Sequence, residues 1–297
     1  KQKTAYEIMP SLVGSEMCIR DRGWSEYLKG LINIYKHSKF KIFGWKGIIA
    51  GNVPIGAGLS SSAALTLALT RVFAKVSNLD WDPRQMARIC QLSENQWVGV
   101  NCGIMDQMIS ASGQADHVTL IDCRSLKTSP VPLPEEVRVV ILDTCTRRGL
   151  VDSAYNERRK QCESVASYFG KKTLRDVSYK QLNEAKAKID HTQFKRARHV
   201  VQENERVLEC AESLRLGNLD HVGKLINASH ISLRDDFEVS TEALDLMVDC
   251  ALTAPGCYGA RMTGAGFGGC AVALVETKKT EDFVKKVLNS SQTSTGK

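Results

Sequence analysis

The sequence contains no Cys-x-x-Cys pair and no histidine spaced with cysteines as a zinc ligand set. No apolar run approaches the ~18 residues that cross a bilayer. The ten cysteines are spread along the chain as singles. Cys90, Cys123, Cys250 and Cys270 sit in apolar runs and read as buried free thiols. That usage, with no signal-peptide pattern at the start, points to the reducing cytoplasm. Aromatic residues make up only 6% of the chain, with no array of aromatic and basic side chains that could stack bases. The net charge of +7 is scattered, with one dense cluster at Arg158-Arg159-Lys160, and suits a small anionic ligand at least as well as nucleic acid. What remains is an ordinary composition, 43% hydrophobic and 25% charged over 297 residues, enough for one large or two medium globular domains.

The most informative stretch is Asn52-Val-Pro-Ile-Gly56-Ala57-Gly58-Leu59-Ser60-Ser61-Ser62-Ala63-Ala64. An apolar run, Phe43 to Ala50, reads as a strand leading into it, and a strong helix former follows, running to about Lys75. A glycine turn between strand and helix makes an anion site, because the first N–H groups of a helix have no internal partner and carry the positive end of the dipole. An ordinary helix cap is the plain alternative. No Gly-Lys-Ser/Thr follows, so this is not a Walker A loop, and positive charge has to come from backbone, metal or a distant side chain.

Residues 1–22 show neither helix nor strand periodicity and read like a translated sequencing adapter, so they are set aside from fold reasoning. The spacing predicts helices over 25–36, from Asp82-Pro83 through a face of Met86, Ile89, Leu92 and Trp97 that carries Glu94, and from close to Asp106 after a turn bracketed by Gly99 and Gly103. Strands are expected at 118–123 and 137–143, joined by a connection marked by Pro130, Pro132 and Pro134. Helices follow at 153–169, 179–189, 193–214, 220–233 and 241–252. A strand at 270–275, a helix at 281–288 and a frayed polar tail from Ser290 close the chain. A second glycine loop, Arg261-Met-Thr-Gly264-Ala-Gly266-Phe-Gly268-Gly269, contains Gly-x-Gly-x-x-Gly. A strand follows it, whereas a dinucleotide fingerprint needs a helix. It reads instead as a loop pressed against a ligand or against the first glycine loop.

Together these pieces make a phosphoryl-transfer set. Ser62 and Glu94 can offer oxygens to Mg²⁺, a hard cation. Asp106 can accept the proton of an attacking hydroxyl or hold that hydroxyl by a hydrogen bond.

The stretch from Asn52 to Ala64 resembles the Pro-x-x-x-Gly-Leu-x-Ser-Ser-Ala motif of the GHMP kinases, and Arg261 to Cys270 resembles that superfamily's third motif. Cys102-Gly-Ile-Met-Asp-Gln107, Leu120 to Leu126, Tyr155 to Cys162 and Ser232 to Glu238 narrow the resemblance to the galactokinase family. It runs in consistent order from about Gly23 to near Leu288. It implies an α+β, two-domain GHMP-kinase fold with the active site between the domains. A mixed sheet with helices would form an N-terminal domain over 23–140. A helix-rich α+β C-terminal domain would cover 141–290, with a frayed tail at 291–297. It also implies ATP-dependent phosphorylation of the C1 hydroxyl of D-galactose, with ATP as co-substrate and Mg²⁺ as cofactor, in a cytoplasmic monomer that binds neither nucleic acid nor membrane. By matching position, Gly56, Ala57, Gly58, Leu59, Ser60, Ser61 and Ser62 would cradle the ATP phosphates. Ser62 and Glu94 would hold Mg²⁺, Asp106 would act as base on the sugar, Gly103 would lie in the sugar-facing turn, and Tyr155 would contact galactose.

One departure is large. Galactokinases carry near their start Gly-Arg-Val-Asn-Leu-Ile-Gly-Glu-His-Thr-Asp, which supplies an arginine beside the catalytic aspartate and several galactose ligands. No such stretch stands here, nor does the strand expected after the last helix. The expectation is therefore a truncated fragment, inactive or nearly so, with an unpaired sheet edge. Alternative readings are an N-acetylgalactosamine kinase of the same superfamily, disfavoured by the wording of 102–107, and a non-catalytic galactose and ATP sensor, disfavoured by the intact Ser62, Glu94 and Asp106. A dinucleotide oxidoreductase is suggested only by the glycine loops.

Overall fold

The structure, a computed structural model, describes residues 23–55, 58–146 and 151–295; side chains of 151–153 and 292–295 are outside the description. The reading of 1–22 as foreign therefore falls outside the described residues, as do Gly56 and Ala57 of the first glycine loop. The chain divides into two compact units. One comprises the residues to Pro54 with Ser60–Ala115 and Thr119–Pro130, and the other comprises Ile55–Leu59, Asp116–Val118 and everything from Val131 on. Among the described residues no helix is long and apolar enough to cross a membrane.

The first unit is helical. Helix α1, Ser25–Lys36, buries Leu28, Leu31 and Tyr35 at helical spacing. Helix α2, Ser61–Val76, is rich in Ala and Leu, and its chain reverses at Asn78, which takes the left-handed conformation that Asn tolerates. Helix α3, Pro83–Ser93, starts as expected. The Asp82 carboxylate accepts from the N–H groups of Arg84 and Gln85, and Pro83 occupies the first turn, where no donor is needed. Leu67, Leu69 and Phe73 of α2 meet Met86 and Ile89 of α3 and the buried face of α1 in one core. Leu92, expected on that face, is exposed, and just beyond it the helix widens into a π-turn, Glu94–Val98. Helix α4, Met105–Ser112, packs Met108 and Ile104 against Ala87.

The expected strand over 43–50 does not form. Alternation holds only from Trp45 on: Trp45 and Ile49 pack on the core while Ile48 is 80% exposed, but Phe43, which should share their side, is 63% exposed. A strand also needs a ladder, and among the described residues none pairs with this segment. The Phe43 N–H donates instead to Ser77 Oγ at 2.9 Å.

Strands β1, His117–Asp122, and β2, Lys127–Pro132, form a two-stranded sheet. The second was read as a mere connection because of its prolines, which an edge strand admits. In the second unit β3, Val137–Asp143, lies beside β5, Cys270–Glu276, and β5 beside β4, Cys257–Met262, all antiparallel. β4 went unread because Gly259 and a register shift between Cys257 and Gly259 interrupt its pattern.

Helices α5 (Val151–Tyr168), α6 (Tyr179–Glu184), α7 (His191–Arg215), α8 (Leu219–Asp235), α9 (Glu242–Leu252) and α10 (Thr280–Thr295) complete the second unit. α6 begins with a capping box between Ser178 and Gln181, and stops earlier than expected, passing into a 3₁₀ turn. α10 continues through the residues read as frayed, up to Thr295. Of the four cysteines read as buried, Cys90, Cys250 and Cys270 are; Cys123 is exposed, lying just past the end of β1.

α8 and β4 approach so closely that a Cβ on Gly223 would stand 2.0 Å from the Tyr258 carbonyl oxygen. Asn227 Oδ1 accepts from the Ala260 N–H at 2.9 Å beside the register shift. Gly223→Ala is expected to push helix and strand apart and to cost about 2 kcal/mol, read as a lowered midpoint in a urea titration. An unchanged midpoint would mean that the close approach adds nothing to stability.

Candidate active site

Glu94 is the centre of the site. It closes α3 and opens the π-turn, whose last carbonyl bonds run from Gly99 N–H and Val100 N–H to the Glu94 carbonyl at 2.9 and 3.1 Å. Gly99, at φ 87°, makes the exit possible. The Glu94 side chain is buried at 3% exposure. Gln107 Nε2 donates to its Oε1 at 2.8 Å, and the Ser62 hydroxyl also hydrogen-bonds to it. Burial pushes the carboxyl above its ordinary range; the Gln107 and Ser62 bonds oppose that shift, and the Asp106 charge adds to it. The surroundings are held rigidly. A Cβ on Gly30 of α1 would meet Ser93 Oγ at 2.4 Å, and Trp97 Nε1 donates to Glu26 at 2.8 Å. The turn before α4 is fastened to the π-turn, since Asn95 Oδ1 accepts from the Cys102 N–H at 3.1 Å and Gln91 Nε2 donates to the Cys102 carbonyl at 3.2 Å.

Ser62 stands in the first turn of α2. Gly58 (φ 79°) and Ser60 (φ 59°) take left-handed conformations before it, and no side chain caps the helix. Leu59 and Ser61 complete the described part of the expected phosphate loop. Asp106 sits in the first turn of α4, half-buried, near enough to Glu94 to raise its pKa. Ser62, Glu94 and Asp106 are thus brought together within the first unit. Gly103 is exposed, with open space where a Cβ would be. Tyr155 belongs to α5 in the second unit. The oxygen set fits Mg²⁺: a buried carboxylate whose polar neighbours are an amide, a hydroxyl and a second carboxylate has donors suited to a hard cation.

The second glycine loop has a defined support. Gly264, Gly266, Phe267, Gly268 and Gly269 all have positive φ, and β5 follows directly, as the sequence requires. The Phe267 N–H donates to the Val239 carbonyl at 2.7 Å, so close an approach that a Cβ on Gly266 would stand 2.3 Å from that oxygen. The segment carrying Val239 is itself held by arginines. Arg196, 2% exposed, donates to the Asp236 carbonyl at 2.5 Å and to Glu238 at 2.6 Å. Arg158 donates to the Phe237 carbonyl at 2.7 Å, and Arg198 pairs with the Asp236 carboxylate.

Residues 26–114 match the GHMP kinases N terminal domain, and residues 210–292 match the GHMP kinases C terminal domain. The chain is 34% identical to Lactococcus lactis galactokinase, solved in complex with galactose. That match has a TM-score of 0.90 and covers 98% of this chain and 78% of that one. The chain belongs to the GHMP kinases. Mevalonate kinase of L. major, at 18% identity and TM-score 0.57 over 89% of this chain and 72% of that one, shares the fold. So does homoserine kinase of Cytophaga hutchinsonii, at 13% identity and TM-score 0.59 over 93% and 74%. In this GHMP kinase sequence reasoning missed Gln107, although it quoted the motif that ends there. It missed Asn95 for want of any local signal. It also passed over Arg196, one of many basic residues on α7, whose burial only the fold reveals.

The arginine-held segment also makes the second unit sensitive to acid. His199, 6% exposed, bonds Ser232 Oγ through Nδ1 at 3.0 Å and lies against the Phe237 ring. Burial lowers its pKa to about 4, with the Arg206 and Arg261 charges adding to the shift and Glu203 and Asp236 opposing it. Above pH ~6.5 the residue is neutral both folded and unfolded. As pH falls toward 4 only the unfolded chain takes up the proton, so stability is lost, by an amount of order 3 kcal/mol. His199→Gln is expected to flatten the decline measured by urea unfolding between pH 7 and 4.5; parallel declines for the two proteins would exclude His199 as its source.

Proposed function

We propose that this GHMP kinase transfers the γ-phosphoryl group of ATP to the C1 hydroxyl of D-galactose. The observation that carries the reading is the buried Glu94 carboxylate, bonded by Ser62 at the start of α2 and neighboured by Asp106 at the start of α4. The similarity to a galactokinase solved with galactose supports the choice of sugar.

In this reading the loop from Gly56 to Ser62 and the uncapped N–H groups at the start of α2 receive the ATP phosphates. Ser62 and Glu94 hold Mg²⁺, which supplies charge neutralisation on the phosphates. Asp106 accepts the proton of the sugar hydroxyl or orients it, and Gly103 and Tyr155 contribute to the sugar site. Asp106 suits that task because it is half-buried and has no hydrogen-bond or ion-pair partner among the described residues, so its oxygens are open to a hydroxyl. The left-handed Gly58 and Ser60 turn the chain immediately ahead of the helix, as a loop that brings backbone close to a phosphate requires.

Measured with galactose and ATP on a chain completed with the missing Gly-Arg-Val-Asn-Leu-Ile-Gly-Glu-His-Thr-Asp stretch, Asp106→Ala is expected to lower kcat by at least roughly 10²-fold while leaving nucleotide binding, followed by calorimetry, unchanged. A near-wild-type rate would remove Asp106 from the chemistry. In a panel of sugars, faster phosphorylation of N-acetylgalactosamine than of galactose would overturn the choice of substrate.

A further inference from the structure

We propose that Gln107 is a positioning residue whose amide fixes the Glu94 carboxylate for a divalent cation, and that it does so at the expense of its own hydrogen bonding. The inference rests on the reading of Ser62 and Glu94 as the cation's ligands. Gln107 is 1% exposed and follows Asp106 directly in the first turn of α4. Its Nε2 donates to Glu94 Oε1 at 2.8 Å and to Cys102 Sγ at 3.6 Å. Its Oε1 is buried and accepts from nothing among the described residues.

That combination is informative. A buried acceptor left without a donor is costly, and a residue present only to fill space would be served as well by methionine or leucine. Turning the amide over would not remedy it, because Oε1 would then face the Glu94 carboxylate, acceptor against acceptor. The orientation is therefore dictated by Glu94. An ionised carboxylate offers about four lone-pair sites. Gln107 and the Ser62 hydroxyl take two of them, which fixes the plane of the group and leaves the others for a cation. The same amide ties the π-turn to the first turn of α4, which carries Asp106, so one side chain sets the relation between both acidic groups. Cys102 takes part as a weak acceptor and stays a thiol, since burial and the neighbouring Glu94 and Asp106 charges push its pKa up to about 11.

The test is a binding titration of Mn²⁺ with a non-hydrolysable ATP analogue, read by electron paramagnetic resonance on the full chain. Gln107→Met keeps the volume and removes both the donor and the unpaired acceptor. It is expected to weaken Mn²⁺ binding by roughly 10- to 100-fold, with a melting temperature without ligands within ~4 °C of wild type and an unchanged KM for galactose. Gln107→Asn keeps the amide but falls one methylene short of Glu94, and is expected to show the same loss; it decides the matter if the methionine variant does not fold. Mn²⁺ binding like wild type in whichever of these variants folds, while Glu94→Gln loses it, would overturn the role of Gln107 and leave the proposed function standing. Wild-type binding by Glu94→Gln would overturn the metal reading of the site itself.

Discussion

A carboxylate withdrawn from water, with an amide, a hydroxyl and a second carboxylate as its polar neighbours, is the constraint around which the first unit is built. Burying such a group is unfavourable unless donors take up its lone pairs. The chain meets this with a polar seam through an otherwise apolar interface. Ser62, Thr66 and Thr70 recur every four residues along α2, opposite Cys90 and Glu94, which are four apart on α3. Thr66 and Thr70 are fully buried. Thr70 Oγ1 lies 3.2 Å from Cys90 Sγ, and Thr66 Oγ1 turns back to the Ser62 carbonyl at 2.9 Å. Burial pushes both the Cys90 thiol and the Tyr35 hydroxyl up to about 12, so neither contributes a charge to the seam. A register shift of α2 against α3 would break several of these pairs together, which is how a polar seam specifies one alignment where leucines would tolerate many.

The second unit solves a different problem with the opposite charge. A run of left-handed residues, one of them Phe267, carries no regular hydrogen bonding of its own and has to be held from outside. The support is the Val239 carbonyl, on a segment in which Glu238 is itself left-handed at φ 52°. Arginine is suited to this task because its planar fork can serve several oxygens at once. Arg196 spans a carbonyl and a carboxylate, and with Lys195 it holds the Glu238 carboxyl down at about 2. Arg261, the first residue of the glycine motif, is bonded to Ser229 and Glu203 at 2.9 and 3.2 Å and so joins the start of the loop to α7 and α8.

Helices were legible in the sequence because their signals are local. Asp82-Pro83 announces α3, and the alanines after Ser62 announce α2. Strands were less so. β1, β3 and β5 carry β-branched runs, whereas β2 hides behind prolines and β4 behind a glycine and a shifted register. The segment over 43–50 has the apolar run of a strand, yet whether a ladder forms depends on a partner that no local pattern can supply. The candidate site was legible as residue types: Ser62 and Asp106 stand in motifs, and Glu94 is the glutamate on the helix that follows the first glycine loop. Its physics was not. The burial of Glu94 comes with the packing of α2 and α4 around the end of α3, which brings Ser62 and Gln107 to it from other helices. For the same reason Gln107 reads in the sequence as the end of a motif and only in the fold as a donor.

The proposed phosphate loop lacks a lysine, and the arginines that support the second glycine loop do not readily replace it. Arg158, Arg196, Arg198 and Arg261 all bond to protein oxygens, so each would have to give up a partner before it could meet a phosphate. For a nucleotide bound as proposed above, the compensation would come from two sources: the N–H groups at the uncapped start of α2, and a divalent cation beside Glu94. Both are fixed before any ligand arrives, the first by the left-handed turn at Gly58 and Ser60 and the second by the donors around Glu94. A rigid partial charge and a rigid carboxylate need no reorganisation when phosphates bind, whereas a lysine has to be ordered. In that reading the burial of Glu94, unfavourable in the empty fold, would be what prepares the site for the cation.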